Sequence, residues 1–287
     1  MNYQSDMQLG TVALNITNLK RAVDFYKNTL GLTVLSQNKN YADMGISEDT
    51  MPLIRLVEGA TNNSNTDHAG LYHVAILLPT REALAQFVYH MATNNFEIGG
   101  AGDHLYSEAF YLNDPDGNGI EIYADRPYDT WDIGENGMIT SATNAVDVND
   151  LLTEIKEPFW NGMPKGTIVG HVHLQVSDIA ESRMFYHDIL NFDIKTLIPR
   201  ALFMSRGLYH HQIATNNWIG HRLDPRLTGD VGLIYYTMIF DNLEQIITKL
   251  VAEGYTINNE AAGIFVVDPN GITIKLEESS KRTLMSL

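Results

Sequence analysis

The chain repeats one pattern four times, and this repetition restricts its fold more than any other feature. Each repeat opens with a short alternating strand, continues with a helix-like stretch and returns to strand patterns. We place the repeats at residues 8–66, 67–126, 167–228 and 229–279, with a linker at 127–166. The pattern predicts an α+β fold of four βαβββ modules, in which each sheet covers a helix with one face and leaves the other face available.

Modules two and four each end in a tight turn between two strands. The turn reads Asp-Pro-Asp-Gly at residues 114–117 and Asp-Pro-Asn-Gly at residues 268–271, and both are typical of hairpins. In the opening strand of module three, Gly-His-Val-His-Leu-Gln-Val, alternation turns the apolar residues toward the helix. His171 and His173 then point to the opposite face.

The charge and the cysteine content exclude several classes of function. The chain contains no cysteine, so disulfides, thiol nucleophiles and thiolate metal sites are excluded, and a metal needs His and carboxylate ligands. The net charge of −16 is unsuited to nucleic acids or to an anionic membrane surface. We see no signal-peptide pattern and no apolar stretch of the roughly 20 residues that span a bilayer. We therefore expect a cytoplasmic protein.

The four-module pattern resembles the vicinal oxygen chelate superfamily, which includes glyoxalase I, extradiol dioxygenases and fosfomycin-resistance proteins. The strands Leu-Tyr-His-Val-Ala-Ile and Gly-His-Val-His-Leu and the turn Asp-Pro-Asp-Gly-Asn-Gly-Ile-Glu are typical of it. The resemblance covers nearly the whole chain, and within the superfamily the chain looks like the bacterial two-domain catechol 2,3-dioxygenases (type I extradiol dioxygenases). It implies that paired modules form a cupped sheet with a metal ion in the cup.

The resemblance implies metal ligands on the first strand of a module and on the last strand of one. The residues at the matching positions are Thr11, His73, His171 and Tyr235 on first strands and Glu121 and Lys275 on last strands. Only His73, His171 and Glu121 suit a metal, and two His with one carboxylate favour non-haem Fe(II), with Mn(II) as an alternative. Each ligand imidazole is expected to bond an acceptor through its other nitrogen. We assign His173 to the cavity wall.

The ligand positions also predict how the modules pair. If the modules paired in chain order, His171 would lie in a different domain from His73 and Glu121. Pairing module two with three, and one with four, brings all three side chains into one cup. We therefore expect two cupped mixed-sheet domains with this pairing. The half formed by modules one and four would carry no metal and have a structural role.

The resemblance further implies an acid–base group and hydrogen-bond donors beside the substrate. His211 matches the family's proton-transfer histidine best, because His210 would point the opposite way on a strand. Tyr111, three residues before Asp114, matches a family tyrosine, and His104 matches the histidine upstream of it. The implied reaction opens the ring of catechol or a substituted catechol with O2 beside the diol. His211 would move protons, while Tyr111 and His104 would hold a substrate oxygen.

Three other functions stay open at this point. A hydroquinone-cleaving dioxygenase would use the same metal with different neighbours. A glyoxalase-like isomerase or lyase usually needs a second carboxylate ligand from a last strand of the partner module, where module three offers His210 and His211. A metal-free binding protein on the same fold is disfavoured by the intact ligand set. The expected partners are a small aromatic diol and O2, with no nucleic acid and no membrane, and a homo-oligomer is compatible with the superfamily.

Overall fold

The computed structural model describes residues 4–47, 50–62, 68–220 and 223–279. The first half contains β1 (Met7–Ile16), α1 (Leu19–Asn28), β2 (Thr33–Gln37), β3 (Tyr41–Gly45), β4 (Ile54–Glu58), β5 (His68–Leu77), α2 (Arg81–Thr93), β6 (Gly100–Asp103), β7 (Ser107–Asn113) and β8 (Gly119–Asp125). The linker contains a short helical turn (Tyr128–Thr130) and α3 (Val148–Leu152). The second half contains β9 (Ile168–Gln175), α4 (Ile179–Arg183) with a wider helical turn after it (Met184–Ile189), β10 (Asp193–Ile198), β11 (Ala201–Ser205), β12 (Ile213–Asn216), β13 (Asp224–Pro225), β14 (Gly232–Phe240), α5 (Leu243–Ala252), β15 (Asn258–Glu260), β16 (Gly263–Val267) and β17 (Thr273–Glu278). None of the helices in these ranges has both the length and the apolarity that a bilayer span requires.

The strands form two mixed sheets, and each sheet combines two modules. One sheet has the order β15-β16-β17-β14-β1-β4-β3-β2, so that module one joins module four. The other has the order β10-β11-β12-β9-β5-β8-β7-β6, with the short β13 beside β5. The seams between modules are the antiparallel pairs β1–β14 and β5–β9. The α+β architecture and the pairing of module two with three and one with four are therefore confirmed.

The linker packs against the sheet of modules two and three. The backbones of Asp103 and Asn144 exchange two hydrogen bonds of 2.9 Å, which attach the linker to β6. Five residues before Asn144, the backbone amide of Ile139 donates to the carbonyl of Lys195 on β10 over 2.6 Å. Since β6 and β10 are the two outermost strands of this sheet, the linker connects the rims of modules two and three.

Two buried tyrosines fasten the two sheets to each other. Tyr26, on the helix of module one, donates to Asp114 Oδ2 in the β7–β8 turn over 3.2 Å. Tyr186, in module three, donates to Asp268 Oδ2 in the β16–β17 turn over 3.0 Å. In both pairs the tyrosine and the aspartate belong to modules of different sheets. The Asp-Pro turns that the sequence identified therefore serve as anchor points between the domains.

We expect Tyr186→Phe to lower the free energy of unfolding by about 1.5–3 kcal/mol, because a buried carboxyl group then loses a hydrogen-bond donor. Urea denaturation would measure the change. Tyr89→Phe is the control, since Tyr89 is 38% exposed and its loss of a hydroxyl should change stability by less than about 0.5 kcal/mol. Equal losses in the two variants would contradict a fastening role for Tyr186.

Candidate metal and substrate site

Three adjacent strands of the second sheet bring His73, Glu121 and His171 to one place. β5 lies between β8 and β9, and the register sets Ala75 beside both Glu121 and His171. His73 lies two residues before Ala75 and so points to the same face of β5. The small side chain of Ala75 leaves the space between its neighbours free, which allows the three larger side chains to converge.

The ligand atoms of the three residues are close enough to share one ion. His73 Nε2 is 3.0 Å from Glu121 Oε2, and His171 Nε2 is 3.4 Å from the same oxygen. The two Nε2 atoms are 3.3 Å apart. All three side chains are buried. In the described ranges this is the one group of three or more His, Asp or Glu residues that converges in this way.

The protonation states of these groups suit a divalent cation. Burial lowers the pKa of His171 to about 4, so the ring is neutral at physiological pH and keeps a free lone pair. Burial alone would raise the pKa of Glu121, but His171 and His73 outweigh it and hold this pKa well below its ordinary value. A neutral imidazole and an ionised carboxylate are the forms that bind metals. The donor set therefore fits Fe(II) or Mn(II) with coordination positions left open.

The expected acceptor behind each ligand imidazole is missing in one case. His171 Nδ1 is buried and has no hydrogen-bond partner among the described residues, so the expectation is wrong for this ligand. His171 is instead held by ring packing, with Tyr123 at 5.0 Å and His211 at 4.2 Å between ring centres. Among the described residues, contacts with aromatic rings hold the imidazole of His171 in the place where a metal-binding histidine usually has a hydrogen bond.

Tyr111 and His104 form a hydrogen-bonded pair beside the three converging side chains. Tyr111 lies opposite Glu121 in the antiparallel pair β7–β8, so both side chains face the cup. The Tyr111 hydroxyl is 2.6 Å from His104 Nε2, and His104 Nδ1 is 2.7 Å from the carbonyl oxygen of Ala142 in the linker. Because a carbonyl oxygen only accepts, Nδ1 of His104 donates to it, and the Tyr111 hydroxyl donates to the bare Nε2. The linker thereby fixes the orientation of both groups.

His211 lies against His171, and the strand on which His210 and His211 were expected to alternate is absent. Residues 206–212 leave the sheet between β11 and β12, so strand alternation does not apply to them. The two consecutive rings face each other, with their Nδ1 atoms 2.8 Å apart. His210 Nε2 in turn lies 3.0 Å from Asp125 Oδ1.

Sequence reasoning missed Asp125, although a signal for it exists. Glu121, Tyr123 and Asp125 follow one another at intervals of two along β8, so alternation turns all three to the same face. The signal for His210 is weaker, because its position depends on a loop conformation that the strand pattern does not describe.

A cavity of about 490 Å³ opens over these groups, within the range of small-molecule sites. His104, Tyr111 and His211 line it together with the three converging residues. One wall is aromatic, with ring centres of Tyr72 and His173 5.0 Å apart and of His173 and Trp218 5.3 Å apart. His173 Nε2 also lies 3.0 Å from the side-chain amide of Asn216, which agrees with a place in the cavity wall.

The sequence profile of the Glyoxalase/Bleomycin resistance protein/Dioxygenase superfamily matches residues 8–122 and 168–276, which are the four modules without the linker. The chain belongs to this superfamily. The chain is 38% identical over 272 residues to the catechol-2,3-dioxygenase of Bacillus subtilis. The aligned region covers 92% of this chain and 94% of that protein. It is therefore a homologue of that enzyme over nearly its whole length.

Solved structures share the superfamily fold at much lower identity. A proposed dioxygenase from Bacillus subtilis superposes with a TM-score of 0.65 at 15% identity, covering 94% of this chain and 84% of that one. Glyoxalase I from Zea mays superposes with a TM-score of 0.58 at 14% identity, covering 97% and 95% of the two chains. These similarities establish the fold, which superfamily members use for different reactions.

Proposed function

We propose that this superfamily member is an extradiol dioxygenase, which opens the ring of catechol or a substituted catechol beside its two hydroxyl groups. The observation that carries the proposal is the convergence of two imidazole nitrogens and one carboxylate oxygen in a buried cup that opens into the cavity. The 38% identical homologue, a catechol-2,3-dioxygenase, supports this substrate class.

His73, His171 and Glu121 are the proposed ligands of a divalent metal, Fe(II) by preference and Mn(II) as the alternative. When bound, such an ion favours the deprotonated diol and activates O2 next to it. All three side chains come from neighbouring strands of one sheet, so they would hold such an ion from the side of the sheet. The cavity on the other side would then receive the substrate.

The proton transfers fall to His211 in this proposal. Burial, together with the neighbouring imidazoles, lowers the pKa of His211 well below its ordinary value, so the ring is neutral and able to accept a proton from a hydroxyl of the diol. The same imidazolium would return the proton when the ring opens. Both atoms of O2 enter the product, a ring-opened semialdehyde.

Tyr111 is the proposed partner of a substrate oxygen, and His104 is the group that holds Tyr111 in place. Tyr111 is held by His104, which is itself held by the linker carbonyl at Ala142. A hydroxyl fixed before the substrate arrives needs little reorganisation during the reaction, and its oxygen can accept a hydrogen bond from a hydroxyl of the diol. We therefore assign Tyr111 to orienting the diol, and His104 to holding Tyr111.

The cavity wall favours a catechol with a neutral substituent. None of the described residues that line the cavity is Arg or Lys, and Tyr72, Phe203 and Trp218 present apolar rings. A carboxylated catechol would bring a second negative charge near Glu121 with no cation at the wall to offset it.

We expect protein loaded anaerobically with Fe(II) to consume O2 and form a yellow product from catechol and 4-methylcatechol. With 3,4-dihydroxybenzoate we expect kcat/KM to be at least about 10-fold lower, because the cavity offers its carboxylate no partner. An oxygen electrode and absorbance spectra would measure both. The control is apoprotein treated with a chelator.

The outcomes separate the alternative functions. Metal binding without turnover of any catechol would contradict the proposed reaction and direct the assay to hydroquinones and to thiol adducts of 2-oxoaldehydes. A protein that binds neither Fe(II) nor Mn(II) would contradict the metal site itself.

A further inference from the structure

A buried chain of hydrogen bonds runs from Asp125 through His210 to His211. The links are 3.0 Å from Asp125 Oδ1 to His210 Nε2 and 2.8 Å from His210 Nδ1 to His211 Nδ1. His210 is only 1% exposed, and it is absent from the cavity wall, whereas His211 lines the cavity. His210 therefore lies behind the group that faces the substrate.

The ring of His210 is clamped by its neighbours. The ring of Tyr106 stacks on it at 4.3 Å between centres, and Tyr209 packs against it at 4.0 Å. Trp131 from the linker adds a third ring at 5.3 Å. A ring held from several sides keeps its two nitrogens aimed at fixed partners, so the hydrogen-bond pattern follows from the partners alone.

The partners determine which nitrogen carries each proton. An ionised carboxylate only accepts, so His210 donates to Asp125 from Nε2. In neutral His210 the other nitrogen, Nδ1, is then an acceptor, and the bond of 2.8 Å to His211 requires a proton on Nδ1 of His211. His211 consequently has a bare Nε2.

We propose that Asp125 and His210 are positioning residues that hold His211 in the tautomer with Nδ1 protonated and Nε2 free to accept a proton. The inference rests on the proposed function, because Nε2 of His211 is the atom that would take the proton of the diol. A single proton on His210 also avoids a further positive charge beside a site that receives a divalent cation.

The direct test is the tautomer of His211 in the metal-free protein. Long-range 1H–15N correlation spectra distinguish protonated from bare imidazole nitrogens, and His211→Gln and His210→Phe assign the signals. We expect Nδ1-protonated His211 and Nε2-protonated His210 at neutral pH. A doubly protonated His210, or a proton on Nε2 of His211, would overturn the proposal.

Asp125→Asn is expected to change the tautomers of His210 and His211, while the side chain at position 125 keeps almost the same shape. When the amide nitrogen of the new side chain faces His210, it donates to Nε2 of His210, the proton of His210 moves to Nδ1, and His211 then accepts at Nδ1 and carries its proton on Nε2. We expect this reversal in the spectra. An unchanged His211 tautomer in a folded Asp125→Asn protein whose spectra show a bare Nε2 on His210 would contradict the relay.

The kinetic consequence is a selective loss of kcat. In the Fe(II)-loaded enzyme we expect Asp125→Asn to lower kcat about 100-fold or more with KM for catechol unchanged, since general acid–base catalysis contributes roughly 10²–10⁴. His210→Phe keeps the ring stacking but removes both nitrogens, so we expect mixed tautomers of His211 and a similar loss of kcat. The control is Asp193→Asn, whose carboxylate is 66% exposed on β10.

Failure of this inference differs from failure of the proposed function. If the wild-type protein cleaves no catechol, the kinetic comparison is void, but the spectra of the metal-free protein still report the tautomer. If the wild-type protein cleaves catechol while Asp125→Asn and His210→Phe retain full kcat, the positioning role is wrong and the reaction stands.

Discussion

Glu121→Gln should weaken binding of Fe(II) or Mn(II) by at least about 100-fold, and ring cleavage at matched metal concentration should fall by a similar factor. The substitution keeps the shape of the side chain but removes the one negative charge among the three proposed ligands. Changes to groups that merely support a ligand already cost 10–100-fold in affinity or activity, so losing the charged ligand itself should cost at least as much.

The metal-dependent gain in stability provides a readout that does not require turnover. At a free metal concentration of about 100 times the wild-type Kd, the wild-type protein should gain about 2.7 kcal/mol of stability. A 100-fold weaker variant should gain only about 0.4 kcal/mol at the same concentration. Thermal unfolding with and without metal would measure both gains, and calorimetry would give the two Kd values.

Glu277→Gln is the matched control for this experiment. Glu277 lies on β17, the last strand of module four, and pairs with Lys275, which occupies the position that Glu121 has in module two. The Glu277→Gln protein should keep the metal binding and the activity of the wild type. If Glu121→Gln bound metal as tightly as the control, the proposed ligand set would be wrong.

Gly119→Ala should strongly destabilise the fold, because the added methyl group has no room between β5 and β8. A Cβ at Gly119 would lie 2.2 Å from the carbonyl oxygen of Tyr72 and 3.2 Å from Cβ of His73. Because the first of these contacts is with backbone, β5 and β8 must separate to relieve it. We expect a loss of about 3 kcal/mol in the free energy of unfolding, at the upper end of the usual cost of overpacking.

The same displacement should reach the proposed metal site. β5 carries His73 and β8 carries Glu121, so a shift between these strands moves two of the three proposed ligands apart. We expect weaker metal binding in Gly119→Ala even at temperatures where the variant is fully folded.

Gly70→Ala separates this effect from the general cost of adding a methyl group to a strand. Gly70 lies on β5 as well, but no atom lies within 4 Å of a Cβ built there. In the Gly70→Ala protein, the free energies of unfolding and of metal binding should stay within about 0.5 kcal/mol of the wild-type values. Similar losses in the two variants would show that the close approach at Gly119 is not the cause.

The pairing of modules two and three was predictable because the candidate ligand residues fall in those two modules alone. Side-chain alternation along a strand is a local property, so His171 and Glu121 could be assigned to the open face of their sheets from the chain itself. The cavity position of His173 followed in the same way, since it lies two residues from His171 on one strand.

Other features depended on contacts that no periodic pattern encodes. The carbonyl of Ala142 that holds His104 comes from the linker, 38 residues along the chain, and could be placed only once the linker had folded over the sheet. The bonds from Tyr26 and Tyr186 to the Asp-Pro turns join residues 88 and 82 positions apart. Such pairs result from the packing of whole modules, which the local pattern of either partner does not specify.

The sequence by itself determined the four modules, the candidate ligands and the two modules that had to meet, since repetition and strand alternation are written into consecutive residues. Only the tertiary structure decided what lies behind His211. The segment 206–212 leaves the sheet, so the alternation that separated His210 from His211 in the sequence does not hold there. Asp125, on β8, and His210, between β11 and β12, meet because modules two and three share one sheet, and that proximity arises from folding rather than from spacing along the chain.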